Sequence, residues 1–295
     1  MTFAAKFRKA NTKIAASSVR TYLANIKRLA KMSGASDIPE NGKWLSKKGL
    51  LASVKKLPLN ARKILAAAAV AASRVYGVKV PTWEKLMRGA SREYDGVREK
   101  RKRTKREKDL WVDYGDVFKA GKKLWDSVKE IKTFAQARKA QAAYLLLLYG
   151  KHTPRLLESL VRPGHEGKNQ MRLTKGKYNV ILRDYKTAKS RGVSKFTLDA
   201  ALQEPTKRYL EAAERLYKHK FMFTNAKNAP LSKSGFSSLL TASTRRGGLK
   251  GVSAQLLRVF KSSDPSNKAL IEKARALEDE MGHGSREAKR YAKKG

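Results

Sequence analysis

"YLLLLYGKHTPRLLESLV" (144–161) is where this chain changes character. Its first half completes an apolar run, "AAYLLLLYG" (142–150), that continues a helix begun near residue 134. The run is too short to span a bilayer. After Gly150 the chain must turn. Thr153 has the side chain of an N-cap, and Pro154 suits the first position of a helix. A new helix is therefore predicted, with Arg155 at its N-terminus facing an anion. Downstream the periodicity shifts. "NVILRDYKT" (179–187) and "VSKFTLD" (193–199) are rich in β-branched residues, and the polar "AKSRG" between them predicts a hairpin.

Upstream, everything reads as helix. "SSVRTYLANIKRLAKM" (17–32) carries Val19, Leu23, Ile26 and Ala30 at helical spacing, with Ser18 as N-cap. A second helix is predicted from Ser46 to Pro58. A third runs over 60–77 between Asn60 and Gly77, and a fourth follows Pro81. "EKRKRTKREKD" (99–109) holds seven Lys or Arg between positions 100 and 108 and reads as a basic linker lying on a polyanion. Beyond it, helices are predicted over 114–131 and 134–150. After the hairpin they resume over 205–219, 232–246, 253–263 and 267–282, with a last short one after Ser285. The reading is mainly α with a small β-hairpin (α+β), in two domains: 1–98 helical, 99–110 linker, 111–295 second domain.

Composition narrows the function. The 295 residues include 67 Lys or Arg and 25 Asp or Glu, a formal charge of +42, while hydrophobic residues make up 41%. That is a folding chain whose compact state repels itself unless a polyanion is near. Double-stranded nucleic acid is the economical partner, since each neutralised phosphate releases counterions. No segment reads as a membrane anchor, and the N-terminus has no signal-peptide core, so an intracellular location is expected. No cysteine is present, which excludes disulfides, thiolate metal sites and cysteine nucleophiles. No carboxylate cluster or histidine pair has metal-ligand spacing, which argues against a two-metal nuclease. No metal and no cofactor is expected.

Breaking a DNA strand without metal needs a nucleophile, cations on the equatorial phosphate oxygens and a proton for the leaving 5′ oxygen. The sequence offers tyrosine, arginine and lysine in quantity. Near its end, "MGHGS" (281–285) sets one of only four histidines between two glycines, and Tyr291 follows on the predicted short helix.

In this order the motifs resemble the tyrosine recombinases (integrases), which share their chemistry with type IB topoisomerases. The resemblance is faint before residue 110 and distinct after 140. It implies a helical core-binding domain followed by a catalytic domain, and it singles out Arg155, Lys186 in the hairpin turn (Lys189 is second choice), Arg258 in "GVSAQLLRVF" (251–260), His283 and Tyr291. Glu158 and Leu160 fit supporting positions. Two departures stand out. Gln255 occupies the place where that family usually has histidine; it can donate a hydrogen bond to a phosphate but cannot exchange a proton. The gap from Gly150 to Arg155 is also longer than the family's common turn, which leaves Arg162 as a stand-in.

The resemblance implies a site-specific DNA recombinase, from a virus or plasmid and of archaeal type, acting through a 3′-phosphotyrosyl intermediate. Assembly into a tetramer on DNA is implied, with a monomer expected free in solution. "AKKG" after Tyr291 is too short to make a helix exchanged between subunits. Two alternatives stay open: topoisomerase-like relaxation with the same residues, and a degenerate recombinase that only binds DNA.

Overall fold

In the computed structural model the described residues are 1–273, apart from 48, 100–102, 153–154, 156, 186–187, 266, 268 and 271. They form two compact units, Met1–Arg103 and Thr104–Gly295.

The first unit is helical: α1 (Phe3–Ala10), α2 (Ala16–Met32), a 3-10 turn (Gly42–Ser46), α3 (Leu50–Lys55), α4 (Leu59–Tyr76) and α5 (Pro81–Glu99). The α2 stripe is buried at Val19, Ile26, Leu29 and Ala30. On α4 the alanine run supplies Ala66, Ala68, Ala69 and Ala72 to the core, small enough for neighbouring helices to approach. Gly77 closes α4 with a left-handed φ of 68°, as expected of the glycine after a helix. Trp83, buried, donates its indole N–H to the Leu45 carbonyl at 2.8 Å and ties α5 to the 3-10 turn. Two expected caps are absent. Ala15 precedes α2 and makes no side-chain bond, and α4 starts behind Pro58, whose fixed φ leaves Asn60 inside the helix.

The second unit begins with α6 (Lys105–Asp109), one turn held by a reciprocal cap in which Thr104 and Glu107 satisfy each other's backbone N–H. The segment read as a basic linker thus contains ordered helix. Next come α7 (Tyr114–Asp126) and α8 (Phe134–Lys151). The second is the centre of the unit: every residue from Ala142 to Tyr149 is buried. Two glycines let α7 lie close against it. A Cβ on Gly121 would stand 2.6 Å from the Leu147 nitrogen, and one on Gly150 2.6 Å from the Phe118 Cα.

A four-stranded sheet follows in the order β1 (Leu160–Val161), β2 (Asn169–Thr174), β3 (Lys177–Leu182), β4 (Ser194–Thr197). The first pair is parallel and the other two antiparallel. The expected hairpin is β3–β4, with Asn179 opposite Thr197 and Leu182 opposite Ser194. Its connection holds a single helical turn, α9 (Ala188–Arg191), where a plain polar turn was expected. β1 and β2 were not anticipated. β2 joins β3 through Lys175 and Gly176, both at positive φ (50° and 70°), the geometry that two-residue hairpins require.

Next come α10 (Gln203–Leu216), α11 (Lys233–Arg246) and α12 (Ala254–Ser263), and the described residues between 265 and 273 are helical again. Tyr144 of α8 stacks on Tyr209 of α10 at 5.0 Å. The result is the mainly helical α+β class read from the sequence. Among the described residues, no helix is long and apolar enough to cross a membrane.

Candidate functional site

α12 is amphipathic, with Leu256, Leu257 and Phe260 buried, and Phe260 tilted against Trp111 at 4.7 Å. That docking leaves Gln255 and Arg258, one turn apart, together on the exposed side. Ser253 caps the helix, and the Val252 N–H donates to the Thr244 hydroxyl at 3.0 Å, fixing its entry from α11.

Arg155 is held differently from expectation. Arg155 and Leu157 are not helical, Glu158 and Ser159 form a turn, and Leu160 opens β1. The predicted helix is replaced because Leu160 and Val161 are worth more in the sheet. Both are buried, they pair with Asn169 and Gln170, and the Leu160 carbonyl accepts from the Met222 N–H at 2.8 Å. The Asn169 amide also donates to the Ser159 hydroxyl at 2.8 Å. Backbone groups engaged in this way cannot serve a helix. Thr153 and Pro154, the expected cap and first residue, lie outside the described residues.

The side chain of Arg155 reaches the β3–β4 connection, where its guanidinium lies 4.9 Å from the centre of the Tyr185 ring. The Tyr185 hydroxyl donates to the Gly192 carbonyl at 2.8 Å, which closes the loop on itself. Lys186 is the next residue in the chain after Tyr185. It lies outside the described residues, as does the side chain of Lys189.

The segment of Arg155 and the charge of Arg258 both act on Tyr149, near the end of α8. Burial pushes the Tyr149 hydroxyl well above the ordinary tyrosine range. The charge of Arg258 and the main chain of Arg155 oppose that rise, and Glu158 adds to it. The Arg155 main chain approaches the hydroxyl without completing a hydrogen bond. Glu158 turns one carboxylate oxygen into the same interior, where it has no hydrogen-bond partner among the described residues. The Arg155 main chain and the charges of Glu158 and Arg258 therefore all bear on one buried phenol.

Arg162 does not qualify as a stand-in. It is buried, its Nε bonds Glu214 at 2.8 Å, and one terminal nitrogen donates to the carbonyls of His219 and Phe221 at 2.6 and 2.8 Å. That guanidinium is committed to structure through Nε and one terminal nitrogen. It holds the Glu214 carboxyl below its usual range. His283 and Tyr291 lie outside the described residues.

Sequence reasoning missed three neighbours of these groups. Tyr185 carries Arg155. His152, at the end of α8, accepts from the Asp199 N–H at 3.2 Å and packs on Phe196 at 4.8 Å. Burial lowers its pKa, and the charge of Lys261 adds to that. Lys261, half-buried one turn beyond Arg258, donates to the Lys151 carbonyl at 3.3 Å. Only the i, i+3 spacing of Gln255, Arg258 and Lys261 could have signalled the last.

No protein-family model matches the chain, and no curated protein matches it. Among solved structures the chain is similar to a lambda integrase dimer bound to a COC′ core site, with 14% identity over 90% of each chain and a TM-score of 0.46. It is also similar to a lambda integrase tetramer bound to a Holliday junction (13% identity, 88% of this chain and 71% of that one, TM-score 0.43). A third similarity is to XerA recombinase (12% identity, 88% and 82%, TM-score 0.36).

Proposed function

We propose that this chain is a site-specific DNA recombinase of the tyrosine type, the integrase of a mobile element. In this reading it cuts and rejoins double-stranded DNA without metal or high-energy cofactor. One observation carries the reading: the Arg155 guanidinium leans on the loop that contains Lys186, while the Arg155 main chain and the charge of Arg258, 103 positions away, both act on the buried Tyr149 hydroxyl. Two guanidiniums and a lysine loop are the cations that a pentavalent phosphate needs in its surroundings.

The two arginines hold the non-bridging oxygens of the scissile phosphate. Gln255, on the same exposed side as Arg258, donates a hydrogen bond to that phosphate. Tyr291 attacks phosphorus and His283 supports the charge that develops. Lys186 gives its proton to the leaving 5′ oxygen. The O–P bond to tyrosine forms as the bond to the 5′ oxygen breaks, so a 3′-phosphotyrosyl link conserves the energy for rejoining. In this reading residues 1–98 grip DNA, 99–110 is a basic connector, 111–295 does the chemistry, and four copies assemble on the paired sites.

Covalent trapping tests it. The protein is incubated in EDTA with nicked and supercoiled DNA carrying the element's own attachment region, then quenched with SDS, with Tyr291→Phe alongside. An adduct that disappears in the variant is expected. Absence of any adduct on that DNA sinks the enzymatic reading and leaves a DNA-binding protein, for which Gln255 in place of histidine already speaks. Relaxation of plasmids lacking the site would move the assignment to a topoisomerase.

A further inference from the structure

Lys261 sits at the junction between the two arginine-bearing segments. It follows Arg258 by one turn on α12, and its ammonium donates to the carbonyl of Lys151 at 3.3 Å. Lys151 is the last residue of α8, four before Arg155. That carbonyl is one of the four at a helix end that have no partner within the helix, and the end carries the negative pole of the helix dipole. The ammonium also lies 5.3 Å from the centre of the Tyr114 ring. The Tyr114 hydroxyl in turn donates to the carbonyls of Tyr149 and His152, the latter at 3.1 Å. The cation thus joins α12 to the end of α8 and to α7, and the two carbonyl bonds join α7 to the same end of α8.

The bond to the Lys151 carbonyl is open to solvent, while the Lys261 side chain packs toward the Tyr114 ring. Lys261 is half-buried, and its desolvation shifts its pKa downward.

We infer that Lys261 is a positioning residue for the site: through the Lys151 carbonyl it sets the distance between Arg155 and Arg258. This rests on the proposed recombinase reading for its catalytic consequence, but not for its structural content. Two guanidiniums grip one phosphate only if each lies within hydrogen-bond reach of it, and displacement by about 1 Å costs on the order of 100-fold in rate. Lys261 touches neither phosphate nor nucleophile in this account.

The test uses the full chain with Lys261→Met and Lys261→Arg. The first readout is independent of chemistry: the Nε–Hε resonances of Arg155 and Arg258 in protein labelled with 15N-arginine. Both resonances should move in Lys261→Met and return in Lys261→Arg. Resonances left in place by Lys261→Met overturn the inference. The second readout is the rate of covalent adduct formation against DNA affinity. Lys261→Met should slow the adduct by about 10- to 100-fold at unchanged affinity, with Lys261→Arg restoring most of the rate. An adduct rate equal to that of the wild type in Lys261→Met also overturns it. If the wild type forms no adduct, the functional reading fails and the resonances alone judge the positioning role. A loss of affinity and melting temperature in both variants alike would show a merely structural lysine and refute it.

Discussion

Gly150→Ala should destabilise the second unit, although it places a better helix former in a helix. A Cβ there would meet the Cα and Cβ of Phe118 at 2.6 Å and its nitrogen at 2.7 Å. Ordinary contact begins near 3.4 Å, so the two helices must part by about 0.8 Å (3.4 minus 2.6). Two of the three atoms are backbone, and no rotamer change relieves them. Overpacking of this kind costs about 1–3 kcal/mol, and backbone contacts put this site at the upper end. Exchanging glycine for alanine returns at most about 1 kcal/mol of propensity. The net loss is about 2 kcal/mol, which for a unit of this size lowers the melting temperature by about 4–8 °C.

The control lies on the facing helix. Gly115, in the first turn of α7, is exposed, and a Cβ there meets nothing within 4 Å. Gly115→Ala should raise stability by up to about 1 kcal/mol. Thermal unfolding followed by circular dichroism measures both. If Gly150→Ala melts at or above the wild type, the close approach of α7 and α8 is wrong. If both variants fall together, propensity and packing are not what separates them.

Tyr185→Leu should cut adduct formation by about 2- to 30-fold with little change in melting temperature, because the ring under Arg155 contributes about 0.5–2 kcal/mol; Tyr185→Phe should retain most of the rate, and a Leu variant at the wild-type rate would remove Tyr185 from the site. Glu214→Gln should cost about 1 kcal/mol or less at neutral pH, since Glu214 is largely exposed although its partner Arg162 is not. The folded carboxyl titrates below its usual range, so this stabilisation is full at pH values above that range and is lost as pH falls through the folded pKa. Urea unfolding at pH 7 and pH 3 should therefore separate the two proteins at pH 7 and narrow the difference at pH 3. Gln255→His should give adduct formation a new pH dependence near the ordinary histidine pKa of about 6.5. A pH–rate profile superimposable on that of the wild type would mean that residue 255 does not face the reacting phosphate.

The helices were legible wherever one face is apolar at a period of 3.6, as on α2 and α12. β1 was not, because two residues carry no period. Leu160 and Val161 became strand through partners at Asn169, Gln170 and Met222 that local sequence does not announce. β2 was hidden by its weak alternation, although Lys175-Gly176 offered a two-residue turn signal. For the candidate site residues, the sequence announced local structure unevenly. Arg258 and Gln255 share a helical face as their spacing requires. The commitment of Arg162 was invisible because it depends on Glu214, 52 positions away.

Losing the helix expected at Arg155 changes the electrostatics of the proposed site without moving its centre. A helix N-terminus there would have brought roughly half a positive charge to the phosphate. Arg155 instead comes from an irregular segment and contributes only its own charge. The helix N-terminus belongs to α12, whose capped first turn carries Gln255. A neutral glutamine at the positive end of a helix, one turn before Arg258, can donate a hydrogen bond to an anion without adding another cation beside two guanidiniums. What it cannot do is supply a proton. Phosphate binding and proton transfer, which a histidine at position 255 could share, are then divided. In the proposed reading the arginines and the α12 terminus take the first, and the lysine loop beside Tyr185 takes the second.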